Sequence, residues 1–547
     1  MLLCDLHDDV LTLVLRQVLR RTCDPRETFK RNLQLLGICK RLRLLASPLV
    51  YTYVYAQYGT PGWHGQLNAR RGGPASEPVK TNVDLFAAAG CAGMAKIAAV
   101  DVYCVSNPLP GFMDVVSRLQ AAAAAAARKW GGVRRLEVAI HTNLATRAHD
   151  DEVAGDGHEL RHVADMLAAA MPRVRHLSLG GMGGSAAAAL LYGRVAGVYA
   201  SQLQSIQCRC PISVAPGCRF TRLKDVHASY GLAGDWQLPQ MNPAELTTLT
   251  LHGWTSTHWW ASFGAGNGAG EIAFPELREL NVACCPQTVQ DSVVEAAHVD
   301  GHPRTLHFPR LRVLRIQSSV GIGALLECAK LPAHMDEIRI DAKPNVLRLL
   351  SGATLPAARR VAVRVKGNQS CDSEMLTVVC GLLASARGSS AVELAIDNEY
   401  SYVSADSITC TTLTQLHLAG PVSVDTMFAL IRKLPRLTDL ALFQLEANEV
   451  GPALLQLPAP GDEWVAPLAT KIRRCELMFE YLNPLSETAI RLVQYLMLRI
   501  PTLTDFTAMQ VPRQTVVEFV GAFARQYPHL PAIKLTLAVD WGGESFS

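Results

Sequence analysis

Long apolar runs are missing from this 547-residue sequence. Its most apolar stretches, Leu85 to Ala95 and Ala121 to Ala127, are far shorter than the roughly 20 residues that a membrane-spanning helix needs. Asp5, Asp8 and Asp9 break the apolar opening before a signal-peptide core could form. An excess of one charge is missing too: 52 Lys+Arg stand against 48 Asp+Glu, a net +4. Nucleic-acid-binding domains carry dense basic surfaces, so neither a membrane nor a nucleic-acid partner is expected. At 49 % hydrophobic and 18 % charged, the chain has too much apolar material for global disorder. None of the 15 cysteines forms a CxxC pair, which removes zinc-finger and thioredoxin-like chemistry. They read as buried thiols in a reducing compartment, cytosol or nucleus.

Catalytic signatures are equally scarce. No Gly-x-Ser-x-Gly elbow occurs, and the one HExxH spacing, His158-Glu159-Leu160-Arg161-His162, opens an Ala-rich helix-like run with no further ligand at a recognisable distance. The run Gly180 to Ser185 follows a strand-like segment and precedes an Ala-rich one, the local setting of a phosphate loop. No Lys-Ser/Thr pair follows it, and a strand-to-helix turn needs the same glycines. His149-Asp150-Asp151-Glu152, with His158 and His162, reads as a polar loop and a helix start rather than a set of metal ligands. The expectation is a binding protein, not an enzyme, without metal or cofactor.

The first fifty residues carry two amphipathic runs. Leu6, Val10, Leu13, Val14 and Val18 recur at helical spacing, with Asp8 and Asp9 where the first turn would be. Leu33, Leu36, Cys39, Leu42 and Leu45 share a second face, and Pro48 stops or kinks that helix. Helices this short cannot bury their own apolar surface, so the rest of the chain or another protein must cover it. The runs Leu6-His7-Asp8-Asp9-Val10-Leu11 and Ile38-Cys39-Lys40-Arg41-Leu42, with Leu45, Ala46 and Leu49-Val50-Tyr51, resemble an F-box. His7 stands where that family carries Pro, Leu42 where Trp or Phe is common, and the middle segment, about 20–32, is longer. The resemblance implies docking on a Skp-type adaptor, and through it on a cullin ubiquitin ligase. The contacts it implies are Leu6, Val10, Leu11, Val14, Val18, Leu36, Cys39, Leu42, Leu45 and Tyr51. The alternative is a helical cap that seals the end of the following array.

After a Gly-, Pro- and Arg-rich linker at 58–80, one formula returns: an apolar residue, two variable ones, Leu, one variable, another apolar. Clear copies start at Val133, Val174, Leu246, Leu277, Leu311, Leu413 and Leu437; weaker ones start at Ile97, Met335, Ala358, Ala391, Ile472 and Leu503. Pro172, Pro275, Pro309, Pro435 and Pro501 sit two residues ahead of the first place, ending a helix and setting an extended approach to the strand. Helix-like stretches lie between several copies. This alternation resembles a leucine-rich-repeat solenoid of irregular units, over about 90–540. The expected class is therefore α/β: a helical domain at 1–55, a linker at 56–85, and an array of parallel strands and outer helices at 86–547.

In that arrangement the first, fourth and sixth places point inward, while the third and fifth face outward. The outward set holds Arg135/Glu137, His176/Ser178, Glu279/Asn281, Arg315, Arg339, Gln415/His417, Asp439 and Arg474/Glu476. A polar stripe of mixed sign suits a protein or peptide target. Trp254, Trp259 and Trp260 fall within seven positions on one loop, a binding hot spot or rings packed beneath it. These residues point to a target-recognition adaptor of a Skp–cullin–F-box-type ligase; the alternative is a repeat scaffold with no ubiquitin role.

Overall fold

The computed structural model describes residues 51–59, 80–88, 91–104, 107–125, 130–142, 157–181, 186–210, 212–215, 217–229, 240–254, 271–284, 305–318, 322–367, 371–446, 467–469, 471–479, 487–509 and 533–538, with residues 11, 12, 15, 45–47, 521 and 525. It is an α/β structure built on a large parallel sheet. Two compact units divide at Leu277/Arg278.

In the first unit the strands are β1 (Tyr53–Tyr58), β2 (Lys80–Thr81), β3 (Ile97–Tyr103), β4 (Arg135–His141), β5 (His176–Gly180), β6 (Ser205–Cys208), β7 (Arg219–Phe220), β8 (Asp225–Ser229), β9 (Gln240–Met241), β10 (Thr248–Trp254) and β11 (Glu271–Ala273). Strands β1, β3, β4, β5, β6, β8 and β10 pair in parallel, each with the next in that order. β2 adds antiparallel to β1, and β7 pairs with β9 apart from the ladder. Helices α1 (Val83–Ala88), α2 (Leu109–Ala125), α3 (Gly157–Ala170) and α4 (Ala186–Tyr199) touch one another in sequence order.

The second unit repeats the plan. Its strands are β12 (Glu279–Cys284), β13 (Thr305–His307), β14 (Val313–Ser318), β15 (Ala329–Lys330), β16 (His334–Ala342), β17 (Ala357–Val365), β18 (Ala391–Ile396), β19 (Gln415–Ser423), β20 (Asp439–Glu446), β21 (Arg474–Phe479), β22 (Asp505–Met509) and β23 (Lys534–Ala538). Its helices are α5 (Ile322–Cys328), α6 (Pro344–Arg348), α7 (Ser373–Ser385), α8 (Val424–Lys433) and α9 (Glu487–Arg499). The ladder runs β12, β14, then β16 to β23 in unbroken chain order, all parallel. A doubly wound sheet would reverse its strand order part-way; this ladder does not.

The rung formula explains the core. In all seven clear copies the first, fourth and sixth residues are buried: Leu246, Leu249 and Leu251 have no exposure, nor do Leu413, Leu416 and Leu418. Each such side chain contributes about 1.5–3 kcal/mol when fully buried. Ahead of the strand the chain makes a turn whose last N–H is the first-place residue: Leu277 donates to Phe274 O, Leu311 to Phe308 O, Leu437 to Leu434 O and Leu503 to Ile500 O. Pro275, Pro309, Pro435 and Pro501 occupy the second position of these turns, where a fixed φ costs nothing. At the strand start, one carbonyl accepts two N–H groups from the next rung. Arg134 and Arg135 both donate to Lys96 O, and Thr438 and Asp439 both donate to Thr414 O. The Thr438 hydroxyl adds a third bond to that oxygen at 2.9 Å.

Three departures from the sequence reading have physical reasons. The ladder begins at Tyr53, upstream of residue 86, because β1 buries Val54 and Ala56 without any Leu to mark the formula. The weak copy assigned to Ile97 starts at Ala95 instead. Register pairs Ala98 with Leu136 and Val100 with Val138, and small alanines hide both places. The rungs Leu203-Ile206-Cys208 and Leu223-Val226-Ala228 escaped the formula because β-branched and small residues replace Leu, although all six are buried. The linker stretch 60–79 lies outside the described residues.

Leu11, Thr12, Leu15 and Leu45–Ser47 are helical, and Leu11, Leu15 and Ala46 are buried. Past them, Tyr51 meets the edge of Phe86 at 5.1 Å, and Phe86 meets Trp130 at 5.8 Å. Trp130 is fully buried and donates its indole N–H to Leu119 O at 3.0 Å. This aromatic chain ties the end of the amino-terminal segment to α1 and to the turn before β4.

Candidate functional site

Alternation along a strand sends the third, fifth and seventh residues of every rung to the face opposite the core. In the second unit these places carry charge on consecutive strands, and register brings opposite signs side by side. Arg315 on β14 reaches both ways, to Glu279 on β12 at 3.0 Å and Glu337 on β16 at 2.7 Å. Arg339 grips Asp341 of its own strand with two nitrogens, at 2.9 and 3.1 Å. Lys366, just past β17, reaches the same carboxylate at 2.9 Å. On the next strands Arg360 and Arg364 converge on Glu393, and Arg364 also lies 3.6 Å from Asp397.

Charge in this array balances, so its cations hold partners already. The Asp341 side chain is completely buried and that of Glu393 is 7 % exposed, so the network has a dry floor and a wet rim. Burial pushes the Asp341 carboxyl up, but the hydrogen bonds and charges of Arg339 and Lys366 outweigh it and hold the group below the ordinary value. The Glu337 hydrogen bond raises the Arg315 guanidinium, and the Asp341 hydrogen bond raises that of Arg339. Both stay charged throughout. The result is a fixed, patterned polar surface. Such a surface can discriminate partners by charge pattern.

The first unit presents a different outward face. Arg135 pairs with Glu137 two residues on, at 2.9 Å, and His176 stands beside Arg135 in register. Further along, burial and the neighbouring His227 together lower the pKa of His252. Tyr103 and His141 stack at the carboxyl ends of β3 and β4, with rings 4.3 Å apart.

Comparison with protein-family models and with curated proteins finds no match.

Of the residues expected to meet a target, Glu279, Arg315 and Arg339 fall in the ion-pair array. His417 lies on β19 beside Ala395 of β18, and Asp439 lies 3.9 Å from Arg474 across β20 and β21. Arg135 and His176 belong to the first unit and are exposed. Trp254 ends β10, while Trp259 and Trp260 lie outside the described residues. Sequence reading missed Glu337, Asp341, Arg360, Arg364, Lys366 and Glu393. Carrying the alternation to the seventh place would have found Asp341, and reading charges across rungs would have found the rest.

Among the expected adaptor contacts, Leu11 is buried by its own chain, and Tyr51 is half-buried against Phe86. Leu45 is half-buried. Leu6, Val10, Val14, Val18, Leu36, Cys39 and Leu42 lie outside the described residues. The glycine run has a structural use at its start. Gly181 has φ +144°, and a Cβ there would collide with the Ile140 carbonyl. Tyr192 fixes the same junction, donating to Gly180 O and accepting from Ile140 N at 2.8 Å. The described cysteines are free, most of them buried, and burial pushes the thiols of Cys104, Cys210 and Cys475 up to about 12. A raised pKa keeps these three thiols protonated. No group of three or more potential metal ligands occurs among the described residues.

Proposed function

We propose that this protein acts by binding, as the target-recognition adaptor of a Skp–cullin–F-box-type ubiquitin ligase. In this reading the amino-terminal helices dock on the Skp-type adaptor, and the parallel array, an irregular leucine-rich-repeat solenoid, holds the target. The observation that carries it is the rung regularity. Sequence-adjacent strands pair in parallel through both units, with apolar first, fourth and sixth places inside and a polar stripe outside. A repeat of that kind builds an extended surface suited to holding a partner.

The test is co-purification of the full chain with a Skp-type adaptor at micromolar concentration. Val14→Asp should abolish it by placing an unpaired charge in an apolar contact, with the thermal melt of the chain unchanged. Failure of the wild-type chain to bind would end the ligase reading.

A second reading has its own support. Leu11, Leu15 and Ala46 are buried within the chain, and Tyr51 packs on Phe86, as a helical cap would require. Removing residues 1–50 separates the two. An adaptor module leaves the array folded and unable to bind the Skp-type adaptor; a cap leaves it aggregated or unfolded.

A further inference from the structure

Between β18 and β19 the chain connects without an α-helix. Residues 397–404 form a loop that ends in a single helical turn, Ala405–Ser407. Tyr400 and Tyr402 stand on this loop at 71 % and 72 % exposure, the most exposed large hydrophobic side chains among the described residues. Their exposure does not come from slack backbone. Asn398 and Ser401 are buried at 2 % and 1 %, and Val403 follows at 5 %. The Asn398 side chain accepts from Tyr400 N at 2.9 Å, and the Ser401 hydroxyl accepts from Cys371 N at 3.0 Å. From below, the backbone of β19 closes in so tightly that a Cβ at Gly420 would collide with the Ser401 and Asn398 carbonyls. Buried anchors thus alternate with exposed rings, and the two phenols are held out on a fixed frame.

The charged side chains on the loop itself are all acidic. Asp397, Glu399 and Asp406 lie on the same loop, all exposed. Two cations that touch the loop are occupied: Arg364 faces Asp397 and Glu393, and Lys433 donates to the Ala405 and Asp406 carbonyls at 2.9 and 3.3 Å. Among the described residues no ion pair engages the carboxylates of Glu399 or Asp406. Rigid aromatic rings beside unpaired carboxylates match a cation twice, through the ring face and through the charge. Fixing the rings beforehand removes the ordering cost that a flexible loop would incur on binding.

We propose that the Tyr400–Tyr402 loop is a docking site for an extended basic segment, rich in Arg, of a partner protein. The site deepens the reading of the chain as an interaction protein and is independent of whether a ligase is recruited.

The experiment titrates the full chain with a labelled peptide of alternating Arg and Gly, and with its Glu–Gly counterpart, by fluorescence anisotropy. The Arg–Gly peptide should bind saturably and the Glu–Gly peptide should not. Tyr400→Ala with Tyr402→Ala should weaken binding about tenfold or more, whereas Phe at both places should stay within about threefold, because the ring face is retained. Glu399→Lys should weaken it as well. Thermal melts of these variants should match the wild type, since none of the altered side chains is buried. Equal binding of both peptides, no saturable binding, or an Ala pair that binds like wild type overturns the proposal. Light scattering that shows self-association lost in the Ala pair also overturns it, since the occupant would then be a second copy. If the peptide binds while the Skp-type adaptor does not co-purify, only the ligase reading falls; the opposite result removes only this site.

Discussion

At the scale of single residues, environment decides what an ordinary side chain does. His252 is the clearest titrating case. Burial and the adjacent His227 both penalise its charged form, so its pKa lies below the ordinary value of about 6.5. The unfolded chain therefore binds the proton first as pH falls. The stability tied to His252 is fully present above about pH 6.5 and is lost as pH drops from there through the lowered native value. Denaturant melts at pH 8 and pH 5 should show a smaller loss for His252→Gln than for wild type. Imidazole NMR should place His252 below 6.5 and show it rising toward that value in His227→Gln. A native value at or above 6.5 would contradict the assignment. None of this was legible in the sequence, where His227 and His252 stand 25 positions apart; the β8–β10 register makes them neighbours.

Within a rung, the formula predicts which substitutions matter. Leu416 is fully buried and stands in register with Leu394 on one side and Leu440 on the other. Leu416→Ala removes buried methyl groups and leaves a void, and should cost about 2–5 kcal/mol in urea unfolding. Gln415→Ala, on the outward face of the same strand, should stay within about 0.5 kcal/mol. A large cost at Gln415 or none at Leu416 would invert the inside and outside of the sheet. The helices were legible for the same reason. The run starting at Val424 holds Met427, Phe428, Leu430 and Ile431 on its buried side, and the Ser423 hydroxyl accepts from Thr426 N at 3.2 Å as an N-cap. The rungs at Leu203 and Leu223 were not legible, since Ile206 and Val226 fill the fourth place as well as Leu does but do not stand out among other β-branched residues.

Within each unit, the described strands of the ladder pair with their neighbours in chain order. Among the described residues of the second unit, each strand from β17 to β22 pairs with the strand before it and the strand after it. Stability in such a ladder is close to a sum of nearest-neighbour terms. Hydrogen exchange of Leu416→Ala should therefore accelerate most in β18, β19 and β20, and less at each rung further away. A loss of about 2 kcal/mol at the altered rung corresponds to roughly thirtyfold faster exchange. Uniform acceleration from β12 to β22 would mean that the unit opens as one block instead.

What the sequence determined by itself was the class of fold, the alternation of strand and helix, and which residues of each clear rung face inward. Those follow from local periods of two and about 3.6 residues, which need no knowledge of distant neighbours. The tertiary structure alone decided the register between rungs. Through it, Arg315 lies between two glutamates, Asp341 disappears beneath Arg339 and Lys366, and the Tyr400–Tyr402 loop is pinned from below by Gly420. Register depends on loop length and on hydrogen bonds between segments some 20–40 residues apart, and no local period encodes either.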